Sequence, residues 1–155
     1  MSINLNRSAV ASLTLSAAAL VGIALNESYT DKAIQPVPGD KWTYGFGTTE
    51  GVKPGDTITP PKALARAYKD IQTYEGAIKQ CVTAPLTQNE YDAYVSLSYN
   101  IGTTAFCKST LVAKLNKFDY PGACAEILRW DKFKGQPLAG LTKRRKQENA
   151  RCLGL

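Results

Sequence analysis

A chain of 155 residues, 44% of them hydrophobic, suits one domain with one real core. It contains no histidine, which excludes Ser-His-Asp and Cys-His catalysis and His-ligated zinc hydrolysis. Its net charge of +6 draws it toward polyanions; no nucleic-acid motif or basic arm accompanies that charge, so an anionic cell wall fits better than nucleic acid, beside the plain reading of a solubilising surface.

Taken in order, residues 9–25 come first, a charge-free run rich in Ala, Ser and Leu. As a helix the run would span about 26 Å at 1.5 Å per residue, slightly short of the ~30 Å hydrocarbon core of a bilayer. Its many small residues make insertion weakly favourable. Three readings stand: a cleaved signal peptide, a buried core helix, or an uncleaved membrane anchor. The one A-x-A pattern, Ala17–Ala19, lies inside the run rather than after it, which disfavours cleavage. Arg7 before the run and Glu27 and Asp31 after it favour an N-in, C-out orientation.

Glu27 follows directly, and the chain then passes through P-V-P-G-D (36–40) to W-T-Y-G-F-G (42–47). Pro and Gly around Asp40 predict a chain reversal, and the flanking Tyr, Ile, Val and Trp predict short strands. The expectation is a β-hairpin with Asp40 near its turn, Thr43 on its second strand, and Glu27 at the preceding helix end. Residues 49–59 read as a loop. Thr59-Pro60 is a helix start, and Leu64, Ala67, Tyr68, Ile71, Tyr74 and Ile78 follow as the core stripe of a connecting helix. Thr87-Gln-Asn-Glu90 is a capping box opening a buried helix over 88–101, which Asn100 and Gly102 end. A short helix is expected over 109–117, and another over 120–130 capped by Asp119. A loop carries Gly135, Pro137 and Gly140. Thr142 then starts a last helix bearing Lys143, Arg144, Arg145 and Lys146. That charge run reads as a solvated face or as a contact for peptide carboxylates.

Cys81, Cys107, Cys124 and Cys152 suit an oxidising compartment and allow three pairings. Cys107 and Cys124 flank the 109–117 helix, so Cys107–Cys124 with Cys81–Cys152 is the favoured expectation, against four reduced thiols.

Among enzymes that attack bacterial walls, the absence of histidine leaves glycosidic cleavage, which needs carboxylates alone. An acid must keep its proton near neutral pH, which a desolvated pocket favours. Glu27, near Leu25, Trp42, Tyr44 and Phe46, is the candidate. Asp40 is the candidate second carboxylate, with Asp31 behind it, and the Thr43 hydroxyl is suited to hold the attacking water.

The Glu–Asp–Thr–G-x-G arrangement resembles the phage-type lysozymes, the muramidase endolysins. So do Y-D-A-Y-V-S-L-S-Y-N-I-G (91–102), A-F-C-K-S-T-L (105–111), G-A-C-A-E-I-L-R-W (122–130) and G-L-T-K-R-R-K-Q-E (140–148). The family spacing places Asp nine after Glu and Thr six after Asp. Here Asp40 stands three before Thr43, Val37 occupies the position six before it, and Thr48 stands where many relatives have His. The resemblance implies an α+β lysozyme-like fold, with a small β-hairpin lobe and a mostly helical C-terminal lobe. It implies catalytic Glu27, Asp40 and Thr43, no metal or cofactor, and hydrolysis of the β-1,4 bond between N-acetylmuramic acid and N-acetylglucosamine in peptidoglycan. The weakly apolar run immediately before Glu27 is similar to that of the signal-arrest-release endolysins. This implies residues 1–26 as signal anchor and 27–155 as catalytic domain: a monomer held in the host inner membrane through residues 9–25, then released to the periplasm, with no nucleic-acid partner. A lytic transglycosylase and a non-catalytic, membrane-tethered wall-binding protein are the alternatives.

Overall fold

Thr87 opens the helix on which the larger of two units is built. Its hydroxyl accepts the Glu90 N–H at 3.1 Å, while Glu90 Oε2 accepts the Thr87 N–H at 2.8 Å. This is the capping box read from the sequence. The computed structural model describes residues 6–155, and the chain divides into residues 20–73 and a larger unit of residues 74–155 with the segment up to Ala19. The helix that Thr87 caps, α3 in chain order (Gln88–Ile101), is buried from Glu90 through Tyr99, as apolar side chains around most of its circumference favour.

The helices around it are short. They are α4 (Thr103–Cys107), α5 (Thr110–Leu115) and α6 (Tyr120–Glu126), with a 3₁₀ turn at Ile127–Arg129. Phe106, Leu111, Leu115 and Ile127 are fully buried. Ser109 and Asp119 cap α5 and α6 by accepting the N–H groups of Val112 and Gly122. The expected loop near Gly135 is instead a small hairpin, β3 (Lys132–Phe133) with β4 (Gln136–Pro137). The last helix, α7 (Ala139–Cys152), starts three residues before Thr142. The Thr142 hydroxyl does not cap it but donates to Asp131 Oδ2 at 3.1 Å.

The basic run on α7 departs from a solvated face. Lys143 and Lys146 are exposed, but Arg144 and Arg145 are buried. One carboxylate holds both: Arg144 Nε lies 3.1 Å from Glu148 Oε1 and Arg145 Nε 2.7 Å from Oε2. Arg145 also donates to Asn100 Oδ1 at 2.9 Å. Residues 144, 145, 148 and 152 fall on one helical stripe, so helix periodicity turned the arginines inward and pairing offset their desolvation.

The disulfides are Cys81–Cys107 and Cys124–Cys152, which corrects the expected pairing. Cys107 Sγ lies 3.7 Å from the Ala77 carbonyl in the closing turns of the connecting helix. Asn149 of α7 donates to the Cys124 carbonyl at 2.9 Å, which ties α6 to the helix carrying Cys152. Flanking the 109–117 segment did not bring Cys107 and Cys124 together.

Residues 9–25 are not one helix. A 3₁₀ turn (Val10–Ser12) is followed by extended chain, and α1 runs over Ala17–Glu27. The break has partners: Leu15 N–H donates to Glu75 at 2.7 Å, Ser16 N–H and hydroxyl to Asp92 at 3.0 and 2.6 Å, and Gln88 donates to the Thr14 carbonyl. Ser16 Oγ then caps α1 by accepting the Ala19 N–H. Upstream, Ser8 and Leu86 exchange backbone bonds at 2.8 and 2.9 Å. Arg7 forms two hydrogen bonds with Glu90 and sits 3.6 Å above the Tyr120 ring. Residues 1–5 of the expected N-terminal segment lie outside the described residues. Among the described residues no helix is long and apolar enough to cross a membrane.

In the smaller unit, β1 (Thr30–Ile34) pairs antiparallel with β2 (Thr43–Gly45), Thr30 opposite Gly45 and Ile34 opposite Thr43. The other edge of β1 takes the chain around Thr57 through Ala33 N–H to Asp56 O and Ile58 N–H to Asp31 O, each 2.9 Å. The connecting helix, α2 (Pro60–Cys81), begins where Thr59-Pro60 predicts. Ala63, Ala67, Ile71 and Ile78 are buried, but Leu64 and Tyr68 are exposed, so the core stripe is narrower than the sequence suggests.

Candidate active site

Glu27 is the last residue of α1. The helix stops there because Ser28 takes a left-handed conformation, φ 59°, which a short polar side chain tolerates better than a bulky one. The chain then turns through Tyr29, whose hydroxyl donates to the Ile58 carbonyl at 2.6 Å and whose ring lies 5.5 Å from that of Phe46. The helix end is thereby fixed to Phe46 and to the segment that leads into α2.

Facing Glu27 is the turn that closes β2. Tyr44 and Thr48 exchange backbone hydrogen bonds, both 3.1 Å, around Gly45, Phe46 and Gly47. Gly47 has φ +87°, and a Cβ placed on it would lie 3.2 Å from Glu27 Oε2. Glycine is required here twice, for the backbone conformation and for the approach of the carboxylate. Gly45 has φ +61°, and a Cβ there would meet Ala63 of α2 at 3.0 Å. The G-F-G read from the sequence is thus a turn packed on α2 at one glycine and on Glu27 at the other. Glu27 itself is half-buried. Leu25, expected to cover it, instead points outward and is 78% exposed.

Thr43 opens β2, half-buried, with its hydroxyl 3.3 Å from the Lys41 carbonyl it donates to. Asp40 lies in the exposed loop between the strands. Its N–H donates to Val37 O, its carbonyl accepts from Gln35 Nε2, and its Oδ1 accepts the Lys41 N–H at 3.2 Å. Asp31 is exposed on β1. Among the described contacts, Glu27 meets the 44–48 turn and Thr43 leads into that turn; neither Asp40 nor Asp31 is brought to Glu27. Two participants escaped the sequence reading. Thr48 is buried and donates to Asp70 Oδ2 at 2.6 Å, and Asp70 in turn holds Arg66 at 3.1 Å. Arg66 and Asp70 stand four apart on α2, a helix-pair signal, but nothing local ties Asp70 to residue 48.

A helix ending in a glutamate, a short antiparallel hairpin and a Gly-x-Gly turn close to that carboxylate, in a chain whose other unit is built on one buried helix, define a lysozyme-like glycoside hydrolase. The phage lysozyme family profile matches residues 24–148. The endolysin of Acyrthosiphon pisum secondary endosymbiont phage 1 is 45% identical over 135 residues, covering 84% of this chain and 92% of the relative. The SAR-endolysin of Pseudomonas phage phiKMV is 33% identical over 141 residues, covering 88% and 87%. Among solved structures, the muramidase domain of SpmX from Asticaccaulis excentricus superposes with a TM-score of 0.83 at 32% identity, covering 90% of this chain and 97% of that one. The chain belongs to the phage lysozyme family.

Proposed function

We propose that this glycoside hydrolase is an endolysin that cuts the β-1,4 bond between N-acetylmuramic acid and N-acetylglucosamine of peptidoglycan, lysing its host from the periplasmic side. The observation that carries the reading is the Glu27 carboxylate held against Gly47 in a phage lysozyme fold. Glu27 protonates the leaving glycosidic oxygen as the sugar gains oxocarbenium character. Asp40, on the loop between the strands, is the second carboxylate, and Thr43 orients the attacking water. The geometry gives Asp40 less support than Glu27, because its Oδ1 is engaged in its own turn.

Digestion of peptidoglycan by wild type, Glu27→Gln, Asp40→Asn and Asp31→Asn, with mass spectrometry of the fragments, tests these roles. Reducing muramic ends that vanish with Glu27→Gln and Asp40→Asn are expected. Loss with Asp31→Asn in place of Asp40→Asn moves the second role to Asp31. Anhydro ends make the enzyme a transglycosylase, and digestion by Glu27→Gln removes the acid assignment altogether.

Before release, residues 9–25 anchor the chain in the inner membrane. Support comes from the absence of charge in the run, from the phiKMV relative's name, and from the partners this segment finds once folded: Glu75 and Asp92 receive Leu15 and Ser16. The folded segment described above is then the released form. Membrane fractionation of the expressed chain, followed over time, is expected to move it from the membrane pellet to the soluble periplasmic fraction as lysis begins. A chain that is soluble at every time point refutes the anchor.

A further inference from the structure

Thr48 is 2% exposed, and its hydroxyl is committed to Asp70 Oδ2 at 2.6 Å. Asp70 Oδ1 accepts from Arg66 Nε at 3.1 Å, and Arg66 Nη2 reaches the Glu50 carbonyl at 2.9 Å. Side chains of α2 therefore grip the chain on both sides of residue 49. The 44–48 turn is closed by its own pair of backbone bonds and seated through Gly45 on Ala63. At its far glycine the turn meets Glu27 Oε2, with room for hydrogen but not comfortably for a methyl group. A turn tied to α2 at one end, and so near the carboxylate at the other that a Cβ on Gly47 would crowd it, acts as a stop for that carboxylate. Acid catalysis is sensitive to such a stop, because misplacing a reacting group by about 1 Å costs on the order of a hundredfold in rate.

We propose that Thr48 and Asp70 are positioning residues for Glu27: their hydrogen bond fixes the 44–48 turn, and the turn fixes the acid. The proposal rests on Glu27 being the acid. Neither residue touches substrate; they act through Gly47. Thr48→Val removes the hydroxyl while keeping shape and net charge, and Thr48→Ser restores the hydroxyl.

The test measures kcat and KM on solubilised glycan strands for wild type, Thr48→Val, Thr48→Ser and Asp70→Asn, with Glu27→Gln beside them and circular dichroism to establish folding. Thr48→Val is expected to lose about tenfold to a hundredfold in kcat with KM changed by less than about twofold. Thr48→Ser is expected to recover most of that loss, and Asp70→Asn, which keeps an acceptor but not the charge holding Arg66, to fall between. A folded Thr48→Val with wild-type kcat overturns the proposal, as does a loss expressed in KM alone or a Thr48→Ser no better than Thr48→Val. Should Thr48→Val not fold, Asp70→Asn is judged against the same criteria. The two possible failures separate cleanly. If Glu27→Gln is active, the acid assignment is wrong; if it is inactive while Thr48→Val matches wild type, the positioning role alone is wrong.

Discussion

Glu148 is the residue on which most buried charge depends. It is 5% exposed, yet it receives Arg144, Arg145 and the Ser96 hydroxyl, the last at 2.6 Å. A buried ion cluster contributes little net stability against an apolar replacement of the same shape, but removing one partner leaves charge without compensation, at about 3–5 kcal/mol. Glu148→Gln keeps the volume and removes a carboxylate charge that both guanidiniums pair with. The variant is expected to melt of order 10 °C lower, taking about 2–4 °C per kcal/mol for a chain of this size. A melting temperature within ~2 °C of wild type by circular dichroism would show that the cluster is compensated elsewhere. The spacing 144, 145, 148 was present in the sequence as i,i+3 and i,i+4 pairs, but a run of like charge reads as solvent-facing because desolvation ordinarily forbids the alternative. Thr48 and Asp70 were harder still: 22 residues separate them, and hydrogen bonds across that distance leave no periodic trace.

Elements with a chemical start signal were legible, and elements defined by distant partners were not. Thr87, Asp119 and Pro60 each mark a helix start where the structure has one, since capping is written within four residues of chain. The hairpin carrying Thr43 was legible for the same reason, through its Pro-Gly turn and β-branched flanks. Residues 9–25 looked like one helix because they lack charge. Their break is set by Glu75 and Asp92, 60 and 76 residues downstream, which satisfy backbone and hydroxyl groups that a continuous helix would have engaged internally. The cysteine pairing failed likewise, because it depends on which face of α6 meets α7. The N-terminal segment's own strongest hold is Arg7, which pairs with the buried Glu90 and stacks on Tyr120. The hydrogen bond to Glu90, together with its charge, raises the Arg7 pKa above its ordinary value, so the guanidinium keeps its charge throughout the physiological range. Arg7→Met keeps the packing and removes the charge. It is expected to lower stability by about 2 kcal/mol, less than the ~3–5 kcal/mol that breaking a fully buried pair costs, because the Arg7 side chain is 24% exposed. Amide exchange should rise first at Ser8, whose N–H is bonded to Leu86. Unchanged protection at Ser8 would place the segment's anchorage at Leu15 and Ser16 instead.

At the scale of the whole molecule the governing quantity is charge, 19 basic against 13 acidic residues with no histidine to titrate between pH 5 and 8. A net +6 raises the local concentration of a cation beside an anionic wall and speeds encounter, an effect that salt screens. Part of that charge is structurally occupied: Arg144 and Arg145 are buried, and Lys114 and Arg129 pair with Glu126, holding its carboxyl below the usual carboxylate range. Exposed lysines are what remains for long-range attraction. Lys143 and Lys146 stand out among them because, with Pro137, Ala139, Thr142 and Gln147, they line an open groove of about 700 Å³ at the start of α7. Wall digestion is therefore expected to slow several-fold between 0.05 and 0.5 M salt, as the screening length shortens from roughly 14 Å to roughly 4 Å. Reversing both lysines to glutamate lowers the net charge by four, from +6 to +2. That variant should lose most of the low-salt advantage while keeping its rate on short, soluble glycan fragments, whose encounter needs no steering. Equal losses on intact walls and on short fragments would mean that Lys143 and Lys146 act at the cleavage step; a wild-type rate on walls at low salt would mean that the attraction arises from the remaining lysines.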